Sequence, residues 1–417
     1  MHVLVVNNIY PPIMAGGAEL VVAWLSEGLA ARGHRVTAVS TCAPEMEPYP
    51  TECCNGVTVV RFFPNNFYWS FARAGQKPRR RILWHLRDAW NLHAGRRFRA
   101  ILAEAPPDIV HTHLIDGFSA TIWRRAREKG VPVIHTAHDY HLLCPRAFLL
   151  TRDWRICHRP TLGCRLYRAW HLQTAQDIDL FVSPSHFLLE QHRASGLAAP
   201  QTAVVHNGIP LPRCITRRKR IGRPRFLFLT RLTVEKGVRV VAQAVASLPK
   251  TLDFELLVAG RGPLENEIRE AAGADPRIRY LGYVTGEVKE ALLTDAQYLL
   301  LPSLWYENAP VAVIEAAAYG LGVIGSRIGG VPELVRDGHT GVLFEPGDAA
   351  ALARIIRELV SGERRLCDLH AHAQALVEEH SVERMVDAYL GHYDRLLASR
   401  APAPMAQRHA AEADCAG

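Results

Sequence analysis

Two glutamates, Glu307 and Glu315, stand eight positions apart in the stretch Trp305–Ala316, WYENAPVAVIEA, where an apolar run opens on Pro310. Proline favours the first position of a helix, because it has no N–H to leave unsatisfied and its φ is preset. A helix beginning near Asn308–Pro310 leaves the first-turn amides of Val311 and Ala312 unpaired, and such a terminus attracts phosphate. Asn308, Ala309 and Val311 are therefore candidate phosphate-side residues. Glu315 stands about 7–8 Å along the axis from Pro310 at the helical rise. With a nucleotide diphosphate on the terminus, one carboxylate can meet sugar hydroxyls and the other ribose hydroxyls. The alternative is two ordinary helix glutamates, Glu307 only complementing the dipole.

A second cluster follows a short apolar run: LTRLTVEKG, Leu229–Gly237. Arg231 and Lys236 there can clamp a diphosphate, one as a fork and one as a point charge, and stabilise negative charge on a departing nucleotide. A solvated helix start is the competing explanation. The spacing is not that of a P-loop. In MAGGAE (Met14–Glu19), Gly16 and Gly17 let backbone approach a ligand closely, although loop glycines often serve only as turns. This loop is not G-x-G-x-x-G, and no strand–G-x-G-x-x-G–helix dinucleotide fingerprint occurs elsewhere. In HTAHDY (His135–Tyr140), His138 and Asp139 fall where a strand should end, and the imidazole can bond a sugar hydroxyl or a developing charge. A satisfied structural histidine is the alternative; His111 and His113 are weaker candidates at a similar strand end. Cys144, Cys157 and Cys164, with His141, His158 and His171 nearby, lack the close C-x(2–4)-C pairs of zinc sites, which favours unpaired thiols over a metal or disulfide role.

The elements that must position these residues follow a strand–loop–helix–strand rhythm. Strands fit His2–Val6, GHRVTAVS, Asp108–His113, Pro132–His138, Asp179–Ser185 and Thr202–Ile209, with a helix from about Ala18 to Arg32. A Pro-rich basic segment follows. The pattern restarts with strands at Arg225–Thr230, Phe254–Gly260, Ile278–Val284, Gln297–Ser303 and Gly322–Ser326. The expected organisation is two tandem doubly wound α/β domains, 1–208 and 225–380, joined by a linker over 209–224. A closing helix over 381–397, with the option of crossing back to the first domain, precedes a disordered Ala/Pro-rich tail, 398–417. The site then lies in the interdomain cleft, outside the carboxyl ends of the strands.

Composition agrees with a folded two-domain chain: 417 residues, 48% hydrophobic and 22% charged. The net charge of +8 is low for a nucleic-acid binder of this length. There is no run of 18 apolar residues and no secretory-type start, and nine scattered cysteines suit a reducing, cytoplasmic setting.

Together GGAE, TRLTVEKG, VAGRGP, SLWYENAPVAVIEAAAYGLGVI and GGVPELVRDGHTGVLF resemble the family 4 glycosyltransferases, over roughly residues 1–395. The resemblance implies the GT-B fold, two Rossmann-like domains facing each other, with a nucleotide-sugar on the C-terminal one and retention of anomeric configuration. It implies that Arg231 and Lys236 clamp the diphosphate, Glu307 lies near the donor sugar, and Glu315 holds ribose hydroxyls. Gly16 and Gly17 match the glycine loop over the phosphates, and His138 a histidine near the transferred sugar. Gly260, Gly262 and Tyr283 match loops lining the nucleotide. No metal or other cofactor is implied. Two departures, HNGIPLP after the last strand of the first half and the Cys144–Cys164 stretch, bear on the acceptor.

The expected activity is retaining hexosyl transfer from a nucleotide-sugar donor to a glycan or lipid-linked acceptor in cell-envelope polysaccharide or glycolipid synthesis. Alternatives are an epimerase or phosphorylase of the same fold, which would respectively need no acceptor or need a pyridoxal-phosphate lysine, and a non-catalytic sugar-nucleotide-binding protein. Residues 73–99 carry nine basic residues opposed only by Asp88, with Ile82, Leu83, Leu86, Trp90 and Leu92 at roughly helical spacing. This predicts an interfacial helix on an anionic membrane, peripheral to the inner face of the plasma membrane; a helix packed on the domain with a solvated basic face is the alternative.

Overall fold

The computed structural model describes residues 1–13, 16–73, 75–210, 222–366 and 369–400. Most of the expected linker, 211–221, and the tail from 401 onward lie outside the described residues, as do Met14 and Ala15 of the glycine loop.

The first sheet has eight strands: β1 (His2–Val6), β2 (Arg35–Thr41), β3 (Glu52–Cys54), β4 (Val57–Phe62), β5 (Ile109–Thr112), β6 (Val133–Thr136), β7 (Leu180–Ser183) and β8 (Thr202–Val204). Their order is β3-β4-β2-β1-β5-β6-β7-β8, parallel except for β3, which pairs antiparallel with β4. The hairpin β3–β4 was not expected, although its turn, Asn55-Gly56, has the left-handed φ values of 49° and 82° that this dipeptide favours. The second sheet has six parallel strands: β9 (Arg225–Leu229), β10 (Glu255–Ala259), β11 (Ile278–Tyr280), β12 (Tyr298–Leu301), β13 (Gly322–Ser326) and β14 (Gly341–Phe344). Their order is β11-β10-β9-β12-β13-β14.

Side-chain alternation covers both faces of each sheet. Along β1, Leu4 and Val6 enter a core with Phe98, Trp123 and Leu188, whereas Val3 and Val5 enter another with Val22, Leu29 and Tyr393. Along β9, Phe226 and Phe228 pack with Val241 and Ile356, and Leu227 with Ile314 and Ala318. Burial of these two-sided strands, at about 25 cal/mol per Å² of apolar surface, is the dominant stabilising term.

The closing helix, Val382–Arg400, continues beyond the expected 397 and packs on the first domain. Met385, Val386, Tyr389 and Tyr393 enter the Val3/Val5 core. Arg400 bonds Asp179 at 2.7 Å, and Tyr393 Oη meets His111 Nδ1 at 2.7 Å. The two chain passages between the sheets run side by side, Ile209 bridging Ser381. Gly208 is required there, because a Cβ would lie 2.6 Å from the Ser381 carbonyl oxygen.

The basic segment departs from expectation. Helix Pro78–Ala89 stops before Trp90, and Asn91 caps a new helix, Leu92–Glu104, its side chain accepting from Ala94 N at 3.0 Å. The stripe expected through Leu92 is therefore cut at that cap.

Candidate active site

Ligands of open α/β sheets bind where strand order reverses. In the second sheet that point lies between β9 and β12. The loop after β9 carries Lys236 and the loop after β12 carries Glu307. Glu307 is buried, and its Oε1 accepts from Lys236 Nζ at 2.7 Å, Ser303 Oγ at 2.6 Å and Trp305 Nε1 at 2.9 Å. The ammonium also lies 4.9 Å from the Trp305 ring centroid. Three donors on one oxygen hold both charges in one geometry, ready to meet a third charged group.

The backbone around Glu307 is held by two glycines. A Cβ on Gly330 would lie 1.9 Å from the Asn308 carbonyl oxygen, and one on Gly329 (φ +61°) 2.2 Å from that of Glu307. The Gly330 N–H donates to Glu307 O at 2.7 Å. Helix Val311–Ala318 then begins. Pro310 stands just before it with ψ 111°, not at the first helical position expected for it, because its carbonyl already accepts from Val313 N. The amides of Val311 and Ala312 still have no partner within the helix. Gly17 packs on that start, a Cβ there meeting Val311 at 3.5 Å. Glu315 is paired with Lys289 at 2.6 Å.

Arg231 is half exposed and its nearest carboxylate, Glu235, is 3.9 Å away. Its charge reaches across the cleft to Glu19, a buried carboxyl next to Gly16 that burial holds above the usual range and Arg231 pulls back. Gly260 (φ +145°) and Gly262 let the loop after β10 press on the loop after β9; Cβ atoms would lie 1.8 Å from Thr230 O and 2.4 Å from Leu232 O. Tyr283 is exposed, beyond β11.

The first sheet reverses between β1 and β5. There Asp116 pairs with buried His141 at 2.9 Å and receives Asn8 Nδ2 at 3.4 Å. Buried Asp88 accepts from Gly117 N at 2.7 Å. Burial alone would lower His141, but the carboxylates of Asp116, Asp139 and Asp88 raise it to about 9. Burial, with the Asp116 charge, pushes Asp139 up to about 7, and burial pushes Asp88 up to about 8. His138 is half-buried; its Nε2 lies 3.0 Å from His113 Nδ1, and desolvation pushes it down to about 4, so the ring is neutral near pH 7. His113, Asp116, His138, Asp139 and His141 line one small cavity. Among the described residues, Asp88, Asp116 and His141 are the group able to hold a metal ion, with ligand atoms within 4.8 Å of one another. Cys144, Cys157 and Cys164 are free thiols.

The halves meet over these loops. Asn308 Nδ2 donates to the His138 carbonyl, and Asn207 Nδ2 to Ala309 O at 3.3 Å. Both carboxylate oxygens of Glu333 cap helix His186–Ala194 across the cleft, accepting from His186 N at 2.9 Å and Phe187 N at 2.7 Å. Trp305 packs edge-on against Phe148, and Tyr306 against Phe187.

Residues 16–208 match the family described as a glycosyl transferase 4-like domain, and residues 223–362 the one described as glycosyl transferases group 1. An uncharacterized 42.6 kDa protein in the cps region of Klebsiella pneumoniae is 30% identical over 341 residues, covering 81% of this chain and 88% of that one. This chain belongs to the family 4 glycosyltransferases. Solved structures show the same GT-B architecture. A sucrose-phosphate synthase from Thermosynechococcus elongatus aligns with a TM-score of 0.73 at 20% identity, over 95% of this chain and 99% of that one. Anabaena HepE in complex with UDP aligns with a TM-score of 0.69 at 17% identity, over 95% and 100%.

In this glycosyltransferase Lys236 and Glu307 are in direct contact, and Asn308 joins them to His138. Glu315 pairs instead with Lys289, Arg231 stands nearest Glu235, and Tyr283 is exposed. Sequence reasoning missed Lys289, Glu333 and the Asp116–His141 pair. Lys289 and the Asp116–His141 pair lie in no quoted motif, and Glu333, although within GGVPE, works through a helix distant in sequence. Gly329 and Gly330 were legible in GGVPE as a family match, but not as the support of Glu307.

Proposed function

We propose that this glycosyltransferase moves a hexosyl group, with retention, from a nucleotide-diphosphate donor to a glycan or lipid-linked acceptor of the cell envelope. The observation that carries the reading is the Lys236–Glu307 pair at the reversal point of the second sheet, beside the start of helix Val311–Ala318. Lys236, Arg231 and the amides of Val311 and Ala312 stabilise the diphosphate as it departs. Glu307 orients Lys236 and receives hydroxyls of the transferred sugar, and neutral His138 faces that sugar from the other domain. Glu315 exchanges Lys289 for ribose hydroxyls when nucleotide enters. Gly16 and Gly17 close over the phosphates, and Gly260, Gly262 and Tyr283 border the nucleotide.

Because protein cations neutralise the diphosphate, transfer requires no metal in this reading. The acceptor enters on the His138 side, where the Asp116–His141 pair lines the wall. Among the described residues no helix is long and apolar enough to cross a membrane; we place the enzyme on the cytoplasmic side, peripheral to the membrane.

The test is a screen of nucleotide-sugars by thermal shift, beginning with uridine diphosphate sugars because HepE is seen with UDP. Stabilising donors are then offered with membrane lipid extracts, with and without EDTA. The expected result is nucleotide release coupled to a glycosylated product in both conditions. Sugar interconversion without acceptor would favour the epimerase, and loss in EDTA restored by Mg²⁺ or Mn²⁺ would overturn the metal-free mechanism.

A further inference from the structure

Two helices of the N-terminal domain leave large apolar side chains exposed. Helix Pro78–Ala89 buries Trp84 and Asp88 but exposes Ile82 at 60%, Leu83 at 44% and Leu86 at 67%. Helix Leu162–Thr174 exposes Leu162 at 71%, Leu166 at 64% and Trp170 at 48%. The helices are tied together: Trp170 Nε1 donates to Ala89 O at 3.0 Å, and His85 meets Tyr167 edge-on. Six large apolar residues on one two-helix face exceed what singly scattered surface residues explain.

The rim of this face is cationic. Lys77, Arg79, Arg80 and Arg87 are exposed on or beside the first helix, and Arg165 on the second. Asp88, the one carboxylate of residues 73–99, is buried and turned inward to Gly117 N. At the C-terminal end of the first helix, Arg87, Trp90, His93 and Arg96 line a crevice of about 300 Å³ suited to a phosphate headgroup.

We propose that this two-helix face docks the enzyme on an anionic phospholipid bilayer, its leucines and Trp170 entering the interface and its arginines meeting lipid phosphates. Charge decides the occupant. A second copy seated by two-fold symmetry would bring the same arginines together, whereas an anionic surface complements them. Asp88 links the docking helix to the Gly117 turn beside Asp116, so docking sets the acceptor-side loops against the membrane. The inference rests on the reading of the acceptor as lipid-linked. Binding is measured without donor or transfer, so either can fail alone.

The full chain is sedimented with vesicles of phosphatidylcholine alone and of equal parts phosphatidylcholine and phosphatidylglycerol, at low and high salt. Binding is expected to the anionic vesicles only, weakening with salt. Replacing Lys77, Arg79 and Arg80 by Ala should weaken it roughly 100-fold. Leu162→Glu with Leu166→Glu, on the other helix, should abolish it while the unfolding temperature stays unchanged. Equal binding to neutral and anionic vesicles would overturn the proposal. So would full binding by the Leu162/Leu166 variant, or a solution dimer that the same substitutions dissociate.

Discussion

Glu307 and Glu315 are both glutamates, yet their surroundings assign them different work. Glu307 is buried on three donors, Lys236 among them, whereas Glu315, largely covered, is paired with Lys289. Glu307→Ala should therefore lower kcat and Glu315→Ala should mainly raise donor KM, a difference that steady-state kinetics on both variants resolves; identical defects would contradict separate roles. The histidines predict pH dependence. His138, pushed down to about 4 by desolvation, should put the acid limb of kcat/KM near pH 4 rather than near its ordinary 6.5. His141 is raised in the folded state, so its stabilising charge is fully present below about pH 6.5 and lost as pH rises through about 9. Asp139 and Asp88 are also raised, to about 7 and about 8, so they too stabilise less as pH rises through those values. The unfolding temperature should fall from pH 6 to pH 9, and His141→Phe should flatten the upper part of that fall.

At the scale of elements, the site depends on loops pressed together where only glycine fits. Gly330→Ala places a methyl on the Asn308 carbonyl and must displace Asn308 and Glu307. A shift near 1 Å at a reacting centre costs about 100-fold in rate, so kcat should drop by that order while the donor found in the screen still raises the unfolding temperature; unchanged kcat would show that the Gly329–Gly330 turn does not position Glu307. Most elements were legible because strands buried on both faces read as short apolar runs between turns. The β3–β4 hairpin was announced by Asn55-Gly56 yet passed over, since β3 is only three residues long and largely uncovered, although β4 itself reads as an apolar run. The break at Asn91 escaped because apolar spacing continues across it, while the cap depends on one side-chain bond.

At the scale of the whole molecule, the chemistry is assembled from residues that sequence separates. Lys236 and Glu307 were each visible in a motif, but their contact was not, because β9 and β12 become neighbours only once β10 and β11 are laid on the far side. The His138–Asn308 and Glu333–helix contacts likewise need both domains folded and facing each other. The central claim is that Lys236 and Arg231 stabilise a departing nucleotide diphosphate in that cleft. Arg231 tests it best: it is half exposed and loosely paired, so Arg231→Ala leaves the fold intact, whereas removing Lys236 strands the buried Glu307 charge. The measurement is nucleotide release from the donor found in the screen, with acceptor present, by the wild type and by Arg231→Ala at matched unfolding temperature. The account predicts a fall of about 10²–10³ in kcat; turnover equal to wild type would contradict it.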